Sequence, residues 1–357
     1  MKKPTAKDVA QLAEVSPATV SMILNNKKNV SFSQETIEKV LSAAKQLNYA
    51  TSSSTRAFRG KSGKLIALFT ATMSNPYYPM LNQVIEETAI PRGYNIVVYN
   101  LHRSAELERY YLEFVTDNQV DGIVYTFTPT FPELLKKISE STPVVVIGEK
   151  DDRLDIDTVG MNSYKSGMLV ADHLLSLGHQ RIAFITSPIE NNMTLTRRQR
   201  FQGILGRLTE FGVERNLLIK SATNEAEIPN SIYEIQAGYN LTMELLKETT
   251  VTAIVGVNDM TACGVMVALR DAGYKVPQQI SVCGFDNIFV ASIVHPKLTT
   301  IDHCIPHRAK TAIDILIEKI ERLHTPQSSA PIHSAGFYKI EYEPQLIIRE
   351  STGPCKR

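Results

Sequence analysis

Ser16, Thr19, Ser21 and Asn25 recur at helical spacing in a stretch rich in lysine and arginine. Hydroxyl and amide groups set out this way can exchange hydrogen bonds with base edges in the DNA major groove. Residues 1–60 hold nine Lys/Arg against four Asp/Glu, a balance of +5; the net charge of +1 therefore leaves −4 on the remainder. A basic head on a mildly acidic body suits a protein that meets a polyanion with one end, although a solvated helical surface carries the same excess. Catalytic patterns are absent: there is no G-x-S-x-G elbow, G-x-G-x-x-G loop or H-E-x-x-H run. Asp259 and Asp286 are a formal acid/base pair, the weaker reading of two isolated carboxylates. Cys263, Cys283, Cys304 and Cys355 show no C-x-x-C spacing, and His173, His179 and His295 lack ligand-like spacing, so no metal or other cofactor is expected. Gly60-Lys61-Ser62 looks like the end of a phosphate loop, but Thr55 stands where its first glycine belongs and no strand leads in.

The elements that must hold these residues follow from periodicity. Ala6–Ala13 carries Val9, Ala10, Leu12 and Ala13 at helical spacing. Ser16 is a good N-cap, with Pro17 at the first helical position and Val20, Ile23 and Leu24 turned inward. Ser33 opens a third helix whose Ile37, Val40, Leu41, Ala44 and Leu47 form a stripe. Two helices joined by a tight turn fit a helix-turn-helix, whose second helix enters the major groove; a helical bundle for protein contacts has the same spacing. Residues 50–55 are small and polar and read as a linker, and 56–60 allow one or two helical turns. The 357 residues predict two or three folding units, and a composition 43% hydrophobic and 21% charged is that of a soluble globular protein. No apolar run approaches the length that spans a bilayer, and the N-terminus lacks the apolar stretch of a secretion signal, so a cytoplasmic protein is expected.

From residue 64 onward, apolar β-rich runs alternate with helical patterns: Leu65–Phe69, Asn95–Tyr99, Gly122–Tyr125, Val144–Ile147, Arg181–Ile185, Ala253–Val257 and Ser281–Phe285. Near-continuous apolar strands separated by helices indicate doubly wound parallel sheets covered on both faces. The stretch is too long for one compact sheet, so two similar lobes with a cleft between them are expected. Ligands bind such sheets at the carboxyl ends of their strands.

The run Lys7–Ser21 (KDVAQLAEVSPATVS), with Asn25, closely resembles the N-terminus of the lactose/galactose-repressor family of bacterial transcription regulators. The resemblance continues through Glu38-Lys39-Val40, Leu47-Asn48-Tyr49, Leu177-Gly178-His179, Arg200-Phe201-Gln202-Gly203, Asn258-Asp259, Ser281–Asp286 and Leu298–Ile301, in order over nearly the whole chain. It implies an α/β protein with a three-helix helix-turn-helix head (1–50), a hinge (51–63), a periplasmic-binding-protein-like core (64–349) and a tail (350–357). Lobe one would hold about 64–164 and 293–324, lobe two about 165–292 and 325–349. Ser16, Pro17, Ala18, Ser21 and Met22 match recognition-helix positions, and Asn25 and Asn29 match positions that contact the DNA backbone; Thr5, Thr19 and Ser31 complete the expected DNA face of the head. Met22 departs from the arginine of most relatives, which can grip guanine bidentately, so the operator should differ at the base pair it faces. Glu14 replaces the usual turn glycine, at roughly 1 kcal/mol if its φ is positive.

In this family the hinge folds into paired short helices on the operator, and a leucine there kinks the DNA. Phe58 stands at that position, flanked by Arg56 and Arg59, and a phenylalanine wedge is physically reasonable; packing against the body is the alternative. Thr51 replaces the proline common at the start of the hinge, which should loosen it. In the core, Asn75, Tyr77, Tyr78, Asn162, Thr196, Arg200, Asn258 and Asp286 match positions that line the effector pocket, where aromatic faces suit sugar rings or purines and Arg/Asp forks can each hold two adjacent hydroxyls.

The resemblance implies a ligand-controlled repressor of a carbohydrate-utilisation operon, binding a palindromic operator as a homodimer, with a sugar or sugar phosphate as effector. The chain ends too soon after Ser351 for a tetramerising coil. A transport-type sugar-binding protein would share the core but would have no use for the head.

Overall fold

The computed structural model describes residues 5–24, 32–47, 64–117, 120–149, 154–187, 195–222, 232–323 and 336–355. The chain divides into two compact units, Met1–Lys64 and Leu65–Arg357. The hinge (51–63), with Arg56 and Phe58, and Asn25, Asn29 and Ser31 lie outside the described residues.

The first unit contains α1 (Ala6–Leu12), α2 (Pro17–Leu24) and α3 (Gln34–Gln46). Val9, Ala10, Ala13, Val20, Val40, Ala43 and Ala44 form its core, with Val15, Ile23, Leu24 and Leu47 packed against it. The Asp8 carboxylate accepts the Thr5 backbone N–H at 2.6 Å and the Thr5 hydroxyl at 2.7 Å, fixing the start of α1. Ser16 caps α2, its Oγ accepting the Thr19 N–H at 3.0 Å. Between these helices Glu14 has φ +56°, the left-handed conformation that favours glycine. The stripe expected from the sequence is narrower than predicted. Leu12 is 45% and Leu41 51% exposed, because each lies about 100° around its helix from the buried residue beside it, Ala13 or Val40.

The second unit has two lobes. Lobe one is a six-stranded sheet ordered β11-β5-β4-β3-β1-β2, from β1 (Lys64–Thr70), β2 (Tyr94–Asn100), β3 (Gly122–Tyr125), β4 (Val144–Ile147), β5 (Asp157–Met161) and β11 (Lys339–Tyr342). The pairings β1–β3, β3–β4, β4–β5 and β5–β11 are parallel. Helix α4 (Tyr77–Ala89) and the long α12 (Ile305–Leu323) cover one face, burying Ile66, Leu68, Val124 and Val145 against Leu81, Ile85 and Leu316. On the other side α5 (Ala105–Asp117) and α6 (Pro132–Ser139) pack Leu112, Val115, Leu135 and Ile138 over Phe69 and Tyr125.

Lobe two is a parallel sheet ordered β7-β6-β8-β9, from β6 (Ile182–Thr186), β7 (Leu217–Ser221), β8 (Ala253–Gly256) and β9 (Ser281–Cys283). It is flanked by α7 (Ser163–Ser176), α8 (Leu195–Glu210), α9 (Tyr233–Glu248) and α10 (Asp259–Asp271), and the short α11 (Phe289–Ile293) follows β9. An antiparallel ribbon of β10 (Thr300–Asp302) and β12 (Gln345–Ile347) joins it through bridges Cys283↔Thr299 and Asp286↔Asp302. Glycines let the helices approach: a Cβ on Gly167 would meet the Arg200 carbonyl oxygen at 2.1 Å, and one on Gly203 the Tyr164 carbonyl oxygen at 1.9 Å. Among the described residues no helix is long and apolar enough to cross a membrane.

The lobe boundaries differ from those expected in three places. Residues 293–302 stay with lobe two, because β10 extends its sheet and Leu298 and Ile301 lie in its core. Strand β11 belongs to lobe one, pairing with the otherwise open edge of β5. The segment 350–355 is no free tail. Ser351 is fully buried, its Oγ donating to the Val282 carbonyl at 2.6 Å and accepting the Thr299 N–H at 2.8 Å. The Cys355 N–H donates to the Leu177 carbonyl. The chain therefore passes between lobes near Asn162, near His303 and near Glu343.

Candidate functional site

In the head, Ser16, Pro17, Ala18 and Ser21 are exposed on α2, Thr19 and Met22 are half-buried, and Thr5 is exposed before α1. Val20, Ile23 and Leu24 face the core from the same helix. The first turn of α2 contains no acidic residue, so no carboxylate there offsets the positive end of the helix.

In the second unit a cleft is lined by Asn75, Tyr77, Tyr78, Thr196, Arg200, Asn258 and Asp286, seven of the eight expected residues. It lies where the carboxyl ends of both sheets face each other: Asn75 follows β1, Asn258 follows β8 and Asp286 follows β9. The eighth, Asn162, is absent from the lining. Its Oδ1 caps α7 by accepting the Lys165 N–H at 2.8 Å, and its Nδ2 donates to Glu341 at 3.2 Å. An asparagine at a strand-to-helix junction is a preferred cap, and that geometry takes the side chain away from the cleft.

Arg200 is the hub. One Nη donates to the Val257 carbonyl at 2.6 Å; the other donates to Asp286 Oδ1 at 3.1 Å and to His303 Nε2 at 3.0 Å. Its guanidinium lies 4.7 Å from the Phe285 ring centroid, and its Nε has no hydrogen-bond partner. Because His303 Nε2 accepts, that imidazole is neutral; burial, then the charges of Arg200 and Arg308, hold its pKa well below the ordinary value. Burial pushes the Asp286 carboxyl up to about 6, against the pull of Arg200.

Asp259 serves the scaffold. Its carboxylate accepts the Thr300 hydroxyl at 2.5 Å and the Ile288 N–H at 3.0 Å, fixing the loop that carries Asp286. Burial, then the neighbouring Asp286, raises its pKa well above the carboxylate range. It does not line the cleft, so the formal acid/base pair of the sequence has no shared space in which to act.

The aromatic wall is ordered by polar contacts. Asn75 Oδ1 accepts the Tyr77 N–H at 2.9 Å. Arg308 donates to the Tyr77 hydroxyl at 3.2 Å, and the Tyr77 ring meets Tyr78 and His303 edge-on at 5.2 and 5.8 Å. Glu149 is buried and accepts the Ser163 hydroxyl and N–H; burial raises its pKa.

The sequence reading missed Arg103, Glu149, Arg197, His303 and Arg308, all of which line the cleft. The rule that ligands sit at strand carboxyl ends was enough to single out Arg103, just after β2, and Glu149, just after β4; His303 and Arg308 lie at a lobe crossing with no local signal. Backbone strain marks the same loops. Among the described residues the non-glycine positive-φ positions of this unit are His102, Arg103, Asp286, Asn287 and Cys304, each beside the cleft or next to a residue that lines it. Such conformations cost about 1–3 kcal/mol each and persist where the surroundings enforce them.

Comparison with known proteins agrees with this geometry. Residues 5–52 match the bacterial regulatory proteins of the lacI family, and residues 62–341 match the periplasmic binding proteins and sugar binding domain of the LacI family. The chain is 30% identical over 351 residues to the HTH-type transcriptional repressor PurR of Mannheimia succiniciproducens, covering 97% of this chain and 98% of that one. It is 30% identical over 356 residues to the HTH-type transcriptional regulator DegA of Bacillus subtilis, covering 99% of both. A LacI family transcriptional regulator from Enterococcus faecium, solved with bound ribose, superposes with a TM-score of 0.67 at 27% identity, covering 82% of this chain and 100% of that one.

Proposed function

Because the chain belongs to the LacI family of bacterial regulatory proteins, we propose that it is a cytoplasmic, homodimeric repressor that grips a palindromic operator with its heads and releases or tightens that grip when a sugar enters the cleft. The observation that carries this reading is the buried Arg200–Asp286 pair at the carboxyl ends of the strands, on the same chain as an exposed second helix. Guanidinium and carboxylate forks each address two adjacent hydroxyls, and Tyr77 and Tyr78 offer flat apolar faces to a ring.

On DNA, Ser16, Pro17, Ala18, Ser21 and Met22 face base edges, Thr5 and Thr19 border them, and the dimer places its two recognition helices about one helical turn apart. Asn25, Asn29, Ser31, Arg56 and Phe58 add contacts to phosphates and to the minor groove. In the core, sugar hydroxyls pair with Thr196, Arg200, Asn258 and Asp286, and the ligand leaves unchanged. Coupling between the two sites is reciprocal and worth typically 1–3 kcal/mol.

Selection of duplexes from a random library by the full-length chain tests the reading, together with a thermal-shift screen of neutral sugars and sugar phosphates. The expected outcome is a palindromic consensus whose affinity falls steeply with salt, and at least one sugar that raises the melting temperature of the core. A non-palindromic or salt-indifferent selection overturns the DNA assignment, and a screen without a hit overturns the sugar assignment.

A further inference from the structure

The two lobes are bridged, through residues that line the cleft, by a side chain that sequence reading did not single out. Glu234 stands in the first turn of α9 on lobe two and is 9% exposed. Its Oε2 accepts from Asn75 Nδ2 at 2.7 Å and its Oε1 from Arg103 Nη2 at 3.0 Å. Both partners belong to lobe one, in the loops that follow β1 and β2. The same Oε1 lies 3.9 Å from Arg197 Nη2 on α8 of its own lobe. One carboxylate thus joins two residues of the cleft lining in one lobe to a third in the other.

Two further features point to a device rather than a chance ion pair. Arg103 is delivered by consecutive left-handed residues, His102 at φ +50° and Arg103 at φ +56°, a backbone path that is maintained only where the surroundings enforce it. Among the described residues, several other polar links between the lobes lie beside the crossing segments: Ser163 with Glu149, Asn162 with Glu341 and Lys165 with Glu343. Rotation of one lobe against the other displaces atoms least near such crossings. Glu234 lies far along the chain from them, on a helix that must move with its lobe.

We propose that Glu234 is a latch between the lobes: by holding Asn75 and Arg103 it keeps the cleft closed and sets how readily the effector enters and leaves. The inference rests on the reading of this cleft as the effector site. Glu234 acts through Asn75 and Arg103, so it is a positioning residue. Breaking the latch removes the hydrogen bonds that tie the loops after β1 and β2 to α9, and the lobes part.

The test is the lobe-to-lobe distance in the full-length chain, without DNA or ligand. Fluorescence energy transfer is read between dyes on unnatural amino acids replacing Lys137 and Arg270, exposed positions on lobes one and two. Glu234→Gln and Arg103→Met are each expected to raise the open-to-closed ratio at least about tenfold. The double variant is expected to open by less than the sum of the two single ones, since both remove the Glu234–Arg103 pair. A residue that only stabilised α9 would lower the melting temperature on substitution and leave the distance unchanged, and that result overturns the latch, as do additive effects in the double variant. If Glu234→Gln fails to fold, Arg103→Met, whose substitution lies in the other lobe, decides alone. The measurement uses neither operator nor sugar, so a chain that latches yet selects no operator overturns the proposed function and not the latch.

Discussion

In the head, Thr5, Ser16, Pro17, Ala18 and Ser21 stand in solvent beside a core of seven small side chains, whereas in Leu65–Arg357 five charged residues of the cleft, Glu149, Arg197, Arg200, Asp286 and Arg308, are themselves buried. The contrast follows from what each surface meets. A groove of DNA is large, wet and polyanionic, so hydroxyls can wait in water and exchange one set of hydrogen bonds for another. A small ligand must be recognised by a few groups, and those become selective when desolvated and held in place by neighbours. The head has one strained non-glycine residue among those described, Glu14, while the cleft loops of the core have five. Strain collects where side chains must be aimed inward and is nearly absent where the solvent does the accommodating.

The largest expected effect comes from removing the hub of the core. Arg200→Met leaves Asp286 buried without its guanidinium, and the core should lose about 3–5 kcal/mol of stability in urea unfolding. Sugar binding should be lost with it, and the head should unfold as before. A core of unchanged stability would mean that Asp286 is already served by water or by other donors.

Next is Met22→Arg, which gives the head a bidentate donor in place of a thioether. Discrimination at the base pair it faces should change by about 1–3 kcal/mol in a repeat of the duplex selection, towards guanine, with sugar binding untouched. An unchanged consensus would place residue 22 away from the bases.

Acidity then separates the regions again. Asp286 has a pKa of about 6 rather than the ordinary 3.8, so the folded core retains this proton where the unfolded chain has released it. Its contribution to folding is therefore fully present below about pH 4 and lost as pH rises through about 6. Ligand hydroxyls need the ionised carboxylate as acceptor, so sugar affinity should run the other way, rising by up to about tenfold per unit from pH 5 towards 6 and levelling above. Calorimetry on the wild type and Asp286→Asn checks this, with a shallow profile expected for the variant. Equal slopes in both would assign the titration to another group. The smallest effect is in the head: Glu14→Gly relieves the left-handed strain and should raise head stability by about 1 kcal/mol, leaving the unfolding of the core unchanged.

The seven apolar strand runs were readable because their apolar side chains pack on the sheet faces, in the edge strand β2 only in part, and composition then carries the signal. β5 was not, because it begins at Asp157, whose buried charge is matched by Lys319 at 2.5 Å from a helix that the chain reaches only much later. β11 and β12 are short strands with half-exposed residues, and their places depend on partners far away in sequence. Within the site, Arg200 and Asp286 were legible through the motifs around them, and Glu14 through the turn it occupies. Asn162 stands apart from the cleft lining because, at a strand-to-helix junction, the same side chain serves as a cap. Glu234 was not legible, since its role exists only where loops 159 and 131 residues away in the chain arrive beside it.

The most direct test of the central claim is fluorescence anisotropy of the selected operator, titrated with the full-length protein with and without the sugar found in the screen. The account predicts that the sugar changes operator affinity about 5- to 150-fold in the wild type and leaves that of Arg200→Met unchanged. Operator affinity indifferent to sugar in the wild type, or shifted equally in Arg200→Met, would contradict it.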